Sequence, residues 1–236
     1  MAKNRSAADA AATDRPGTWR ELAVARSLDP ARARAEERVQ RFLDAAIELM
    51  QTDSGKDFTV QDVVERSGQS LRSFYQYFAG KHELLLALFE ESVRSTAEYL
   101  EKVAAEEDEP LERLHRVAVE HFLVCRPAPS KTQRKSGGPT PAAMAEFGQK
   151  LLTEHPKEAS RAFIPVITLF EKLFDEAAEA GQLRPGLDHR TIAGVALQAI
   201  MFNAFAATIS RTPLGPDGNA DAEQMWDFIL HGIGSA

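Results

Sequence analysis

Apolar residues return every three or four positions along most of this chain, with polar breaks between the runs. Val39, Phe42, Leu43, Ala46, Ile47 and Met50 share one face and predict a helix from about Pro30 to Met50. Asp29 is its expected cap, with Pro30 at the first helical position. The stretch TDSGKD breaks the run. Val60, Val63 and Val64 are then the apolar face of a short helix, with Thr59 as cap and Asp62 three residues on as a loose capping box. Gly68 ends it. Ser70 caps the next helix, which runs through Phe78 and stops at Ala79-Gly80. A long helix follows, from about Lys81 past Tyr99 to the acidic run EEDEP, and another from Pro110 to about Arg126. Further helical patterns span about 141–154, 158–180, 188–211 and 221–231. No alternating strand pattern is present, so the expected class is all-α, with nine or ten helices.

The stretch QSLRSFYQYF raises a question of chemistry. On a helix, Leu71, Phe74 and Phe78 fall in one narrow arc, the expected core face. Gln69, Arg72, Ser73 and Gln76 fall opposite, and Tyr75 and Tyr77 flank them. No acid lies on this face. Gln and Arg suit base edges in a major groove, and Ser and Tyr hydroxyls suit phosphate oxygens. A short helix, the tight glycine turn GQS and this second helix together form a helix-turn-helix layout, with the second helix as reader.

The same residues carry a resemblance. FTVQDVVERSGQSLRSFYQYFAGKHELLLALF resembles the DNA-binding segment of TetR-family transcriptional regulators, on Thr59, Gly68, Ser73, Phe74, Tyr75, Tyr77, Phe78, Lys81, Glu83 and Leu84. It departs at Gln69, where valine is usual, and at Ser67, where alanine is common. The detailed match covers about residues 36–90. The resemblance implies a three-helix helix-turn-helix domain, here 30–80, after an N-terminal extension of residues 1–29. A larger helical domain, 81–236, would bind a small ligand and dimerise. It also implies DNA-binding residues: Thr59, Ser73, Tyr75, Tyr77 and Lys81 toward phosphates, Gln69, Arg72 and Gln76 toward bases, and Ser70 at the start of the same helix. The partners implied are a double-stranded DNA operator, a small-molecule effector and a second copy of the chain.

Composition and charge adjust this picture only slightly. The chain has 236 residues and a net charge of −7. That is compatible with DNA binding, because phosphates need only a local patch. The first 41 residues carry nine bases and six acids, 9 − 6 = +3, which reads as a polyanion-facing end or as a solvated tail. TWRELAVARSLD is a possible short extra helix. A single cysteine, Cys125, excludes a disulfide framework within the chain and points to a reducing, cytoplasmic setting. The N-terminus lacks the apolar segment of a secretory signal. The uncharged run from Thr191 to Ser210 has about the length of a bilayer span, but its alanines, Gln198 and Asn203 read better as a helix buried on most sides. No membrane partner is expected.

Other chemistry finds little support. Glu112 and His115 form one Glu-x-x-His, which a di-iron bundle would need twice. A surface ion pair is the simpler reading. Cys125 sits beside Phe122, Leu123 and Val124, as a small buried residue would. No catalytic residue, metal ligand set or cofactor is expected. A helical-bundle enzyme or lipid carrier without DNA binding stands as the alternative, as does a transcriptional activator.

The 83–181 region is rich in large apolar groups. Phe89, Val93, Leu114, Val117, Phe122, Phe147, Leu151, Phe163, Ile167, Phe170 and Phe174 either fill a closed core or wall a cavity for an apolar or acidic-lipid-like effector. The long 127–141 loop suggests a gate, Pro165 a kink, and Arg126, Lys131, Arg134 and Lys135 a site for an acidic group. A homodimer interface is expected over 188–211 and 221–231. The small residues Ala193, Gly194, Ala196, Ala199, Ala204 and Ala207 would lie there beside Ile192, Val195, Ile200 and Phe205.

Overall fold

The caps and breaks read above set most helix ends. A computed structural model of the chain describes residues 19–50, 58–125, 141–210 and 218–233. Every regular element among them is a helix: α1 (Trp19–Met50), α2 (Val60–Ser67), α3 (Leu71–Tyr77), α4 (Lys81–Ala104), α5 (Pro110–Cys125), α6 (Pro141–Glu154), α7 (Pro156–Glu179), α8 (His189–Ser210) and α9 (Gly218–Ile233). The expected all-α class is observed. No described helix is long and apolar enough to cross a membrane.

Backbone contacts divide the chain into two compact units, Met1–Phe42 and Leu43–Ala236. In the first, the described residues belong to α1, and one expected boundary moves. Asp29-Pro30 does not open the helix, which begins at Trp19 and reads through Pro30. Proline already holds a helical φ, so inside a helix it costs one N–H bond and a clash with the preceding turn. Pro30 is exposed, and its own carbonyl accepts from Arg34 Nε at 3.0 Å. Arg32 with Glu36 and Arg41 with Glu37 add exposed ion pairs one turn apart, worth a few tenths of a kcal/mol each.

The second unit is organised around α4. Leu84, Leu88, Phe89, Val93, Ala97 and Leu100 are buried along it, and it packs on α5 and α7. Helix α7 starts with Pro156 at its first position and continues through Pro165. It packs on α4, α5, α6 and α8, and α5 also packs on α8 and α9. The acidic turn after α4 is held by Arg113. Its guanidinium donates to the Glu107 and Asp108 carbonyls and to Glu176 of α7, the last at 2.6 Å. The Leu111 N–H at the start of α5 donates to Gln182 Oε1 at 3.1 Å, so one half-buried arginine and one glutamine join the α4–α5 turn to α7 and the segment after it. Expectations for 1–18 and for the 127–140 loop with its basic cluster, including Arg126, lie outside the described residues.

Among the described residues, one buried side chain is unlike its surroundings. His121 on α5 is buried, edge-on to Phe170 with ring centroids 5.8 Å apart, and Cys125 Sγ lies 3.9 Å from its ring nitrogens. Burial pulls the imidazole down to about 4 and pushes the Cys125 thiol up to about 12. Cys125 is therefore a thiol at neutral pH, which fits a packing role and disfavours a nucleophile.

His121 also makes stability depend on pH. An unfolded histidine titrates near 6.5, so below that value the unfolded chain takes up a proton that the native chain refuses until about 4. Stability falls as pH drops through this window, by about 2 kcal/mol at pH 5. Urea unfolding at about pH 7.5 and about pH 5 should show this loss in the parent and a smaller loss in His121→Leu. Equal losses in both would remove His121 as the cause.

Candidate functional site

Short polar residues at fixed spacings build the helix-turn-helix. Thr59 opens α2 with a reciprocal capping box: its N–H donates to Asp62 Oδ2 at 2.6 Å, and its Oγ1 accepts from the Asp62 N–H at 3.2 Å. These bonds hold the Asp62 carboxyl below the usual carboxylate range. Gly68 ends α2 at φ 65°, a left-handed position that glycine occupies without strain. Its N–H and that of Gln69 return to the Glu65 and Val64 carbonyls, both at 3.2 Å. Ser70 then caps α3 by accepting from the Ser73 N–H at 3.1 Å. The turn thus leaves few backbone groups unmet, and it sets the direction in which α3 emerges.

The face α3 presents differs from the expected one. Phe74 and Phe78 are buried, as their arc predicts. Leu71 is not: it is 43% exposed. Tyr75 beside it on the helix surface is 56% exposed, with its ring edge-on to Phe74 at 5.5 Å. On the other flank Ser73 and Tyr77 are half-buried, and the Ser73 hydroxyl is enclosed without a hydrogen-bond partner. The buried arc is therefore turned toward Ser73 and Tyr77. Leu71 falls outside it because it is the first residue of a seven-residue helix, one turn before the depth reached by Phe74. The exposed face is Leu71, Arg72, Tyr75 and Gln76, with half-buried Gln69 at the turn.

The start of α4 is tied back to this module. Lys81 Nζ donates to the Phe58 carbonyl just before α2 and lies 4.1 Å from the Phe58 ring centroid. Its charge opposes the helix dipole, and a carbonyl and a ring face offset that cost. Glu83 reaches back to accept from the Ala79 N–H. On its other side, α4 is joined to α7. His82 Nε2 lies 2.7 Å from Glu158 Oε2, and Arg161 Nε donates to Glu90 Oε1 at 2.9 Å.

Helices α6, α7 and α8 wall a cavity of about 410 Å³. Leu152, Pro156, Ala159, Phe163, Ile167, Leu197, Met201 and Phe202 give it apolar walls, and Gln149, Ser160 and Gln198 are its polar points. No charge stands among these lining residues. Of the residues expected to bind a ligand, Phe163 and Ile167 line this cavity. Phe89, Val93, Leu114, Val117, Phe122, Phe147, Leu151, Phe170 and Phe174 are buried in the helix core and do not line it. The α8 side of the wall was expected at a dimer interface. Its signal was the uncharged run from Thr191 to Ser210, more apolar surface than one neighbour can cover. His115 pairs with both Glu112 and Glu223, which accounts for the Glu-x-x-His as an ion-paired surface group.

Comparison with known proteins agrees with this layout. Residues 42–88 match the bacterial regulatory proteins of the tetR family. Among solved structures, the transcriptional regulator FadR from Bacillus subtilis in complex with stearoyl-CoA superposes with a TM-score of 0.64 at 18% identity, over 82% of this chain and 98% of that one. FadR from Thermus thermophilus, a repressor in complex with lauroyl-CoA, gives 0.61 at 18%, over 82% and 94%. SmeT, the repressor of the Stenotrophomonas maltophilia multidrug efflux pump SmeDEF, gives 0.60 at 19%, over 84% and 90%. No curated protein matches the chain.

Proposed function

We propose that the chain is a transcriptional regulator of the TetR type, a DNA-binding repressor released from its operator by an apolar effector. The observation that carries this reading is a continuous mechanical line. The cavity wall includes Pro156, Ala159 and Ser160, and Glu158 in the same turn is bonded to His82 on α4. One residue earlier, Lys81 holds the module that presents α3. A ligand that wedges the first turn of α7 would pull on α4 and re-aim the reader, with coupling of ~1–3 kcal/mol.

On DNA, Gln69, Arg72 and Gln76 read base edges. Leu71 and Tyr75 lie against the groove, and Thr59, Ser70, Tyr77 and Lys81 approach phosphates. Ser73, half-buried with its hydroxyl enclosed, is turned away from the DNA. The cavity is within the usual range for small-molecule sites, and its lining favours a long apolar body with a hydrogen-bonding group. Similar proteins have been solved with stearoyl-CoA, lauroyl-CoA and triclosan. Acyl chains and apolar phenols are therefore the first compounds to try. The protein works in the cytoplasm as a homodimer, which places two readers on a roughly palindromic operator, about one helical turn or a multiple apart. The dimer face is supported by Val195 and Phe202, seven residues apart on α8 and 57% and 66% exposed, and by Phe228 of α9 at 76%. Ala193, Ala196 and Ile200 are buried within the chain and leave that face to Ile192, Val195, Ala199 and Phe202.

Arg72→Ala should cost ~1–3 kcal/mol of operator affinity and relax choice at one base pair. A gel-shift series over single-base operator variants checks both, and unchanged preference would remove Arg72 as a reader. Gly194 lines the cavity, and a Cβ there meets open space. Gly194→Phe should fill it, abolishing effector release while leaving DNA affinity of the ligand-free protein within a few-fold. Retained release would move the effector site elsewhere. Phe228→Glu should raise the dimer dissociation constant about 100-fold or more, because two buried rings are lost across a two-fold axis. Sedimentation at several concentrations measures it, and an unshifted dimer would exclude this face.

A further inference from the structure

We propose that His82, His155 and Glu158 form a binding site for a transition-metal dication of the zinc type, against the sequence expectation of no metal. His82 is the second residue of α4. His155 is the residue before α7, and Glu158 sits three positions on, in the first turn. The spacing His155-x-x-Glu158 places two donors on one side of a helical turn, and the fold brings a third from α4. One donor atom from each residue lies within 4.8 Å of the other two. Glu158 is the hub: Oε2 is 2.7 Å from His82 Nε2, and Oε1 is 3.8 Å from His155 Nδ1. The two imidazoles face each other with centroids 4.4 Å apart.

The donor set selects the ion. Two imidazoles and one carboxylate suit zinc, and copper or nickel by affinity order, while magnesium and calcium prefer all-oxygen shells. Tetrahedral zinc with bonds of ~2.0–2.1 Å sets its ligands about 3.3 Å apart. The His82–Glu158 pair would open by about half an ångström and His155 would swing in by a similar amount, small side-chain moves for half-exposed groups. The fourth position faces solvent and takes water. The nearest opposing charge, Arg161, is engaged by Glu90. Phe147, with its ring 5.7 Å from His82, limits the side from which water reaches that imidazole.

The location gives the site a consequence. A metal here replaces one hydrogen bond by a covalent-like bridge between the first turns of α4 and α7. Pro156 and Ala159, which flank Glu158, belong to the cavity wall. Metal occupancy therefore stiffens the joint between the cavity and α4, whether or not the effector reading above is right.

The test uses untagged full-length protein stripped with chelator. Zinc uptake after dialysis should reach one ion per chain, and cobalt(II) in its place should give the visible bands of a four-coordinate site. His155→Ala and Glu158→Gln should each weaken binding about tenfold or more and lose those bands. His231→Ala, which removes an exposed α9 histidine paired with Asp227, should change neither. His155→Ala leaves the His82–Glu158 bond in place, so its effect does not depend on loss of the fold. Absence of stoichiometric uptake, or equal uptake by both variants, overturns the proposal. Neither outcome bears on DNA binding, which is read separately by gel shift.

Discussion

The first turn of α4 is fastened in two directions, and the arrangement of both functional regions depends on it. Lys81 faces the reader module and gives its ammonium to the Phe58 carbonyl. His82, the next residue, faces the opposite way and bonds to Glu158 of α7. Adjacent helical residues point about 100° apart, so consecutive positions can serve two partners without strain. The body of α4 is held in the core, because Leu84, Phe89, Val93 and Leu100 are buried along it and it packs on α5 and α7. A close-packed core transmits a displacement instead of absorbing it. Under the proposed function, a shift of the first turn of α7 would reach the residue beside Lys81 through the His82–Glu158 contact.

The proposed reader face is small. The whole chain is acidic at −7, yet the exposed side of α3 carries Arg72, Gln76, Tyr75 and Leu71 with no carboxylate among them. The acids of α2 are occupied: Asp62 closes its cap, and Glu65 accepts from Gln61. Placing negative charge in caps satisfies helix N-terminal N–H groups and keeps those carboxylates engaged within α2.

The cavity follows from a mismatch of surfaces. The phenylalanines of α4, α6 and α7 find one another: Phe89 meets Phe147 and Phe163 edge-on at 5.9 and 5.3 Å, and Phe170 and Phe174 have almost no exposure. Large rings on three converging helices close the centre. Helix α8 presents Gly194 and Gln198 toward α6 and α7, and these cannot fill the space that a larger apolar residue would take. The void therefore lies at the small-residue edge of the bundle.

Local chemistry carried most of the architecture. Thr59 with Asp62, Gly68, Ser70 and Pro110 are helix punctuation whose effect acts within one turn, so their sequence spacing alone predicted α2, α3 and the start of α5, whereas α7 begins at Pro156, two residues before its expected start. The arc of Phe74 and Phe78 was readable for the same reason. Leu71 was not, because a periodic arc says which residues share a side and says nothing of how deep a partner reaches along a two-turn helix. Pro30 escaped because its helical φ and exposed position let α1 pass through it. The core phenylalanines were recognisable as apolar, but whether apolar residues enclose a void or fill it depends on the volumes of residues far apart in the chain. The same holds for His82 beside His155 and Glu158, and for His121 against Phe170. Seventy-odd residues separate the first set, and only the packing of α4 on α7 brings their side chains within reach. Helix boundaries and polar faces are thus properties of neighbours in sequence, whereas cavities, buried imidazoles and converging ligands are decided by how the finished helices meet.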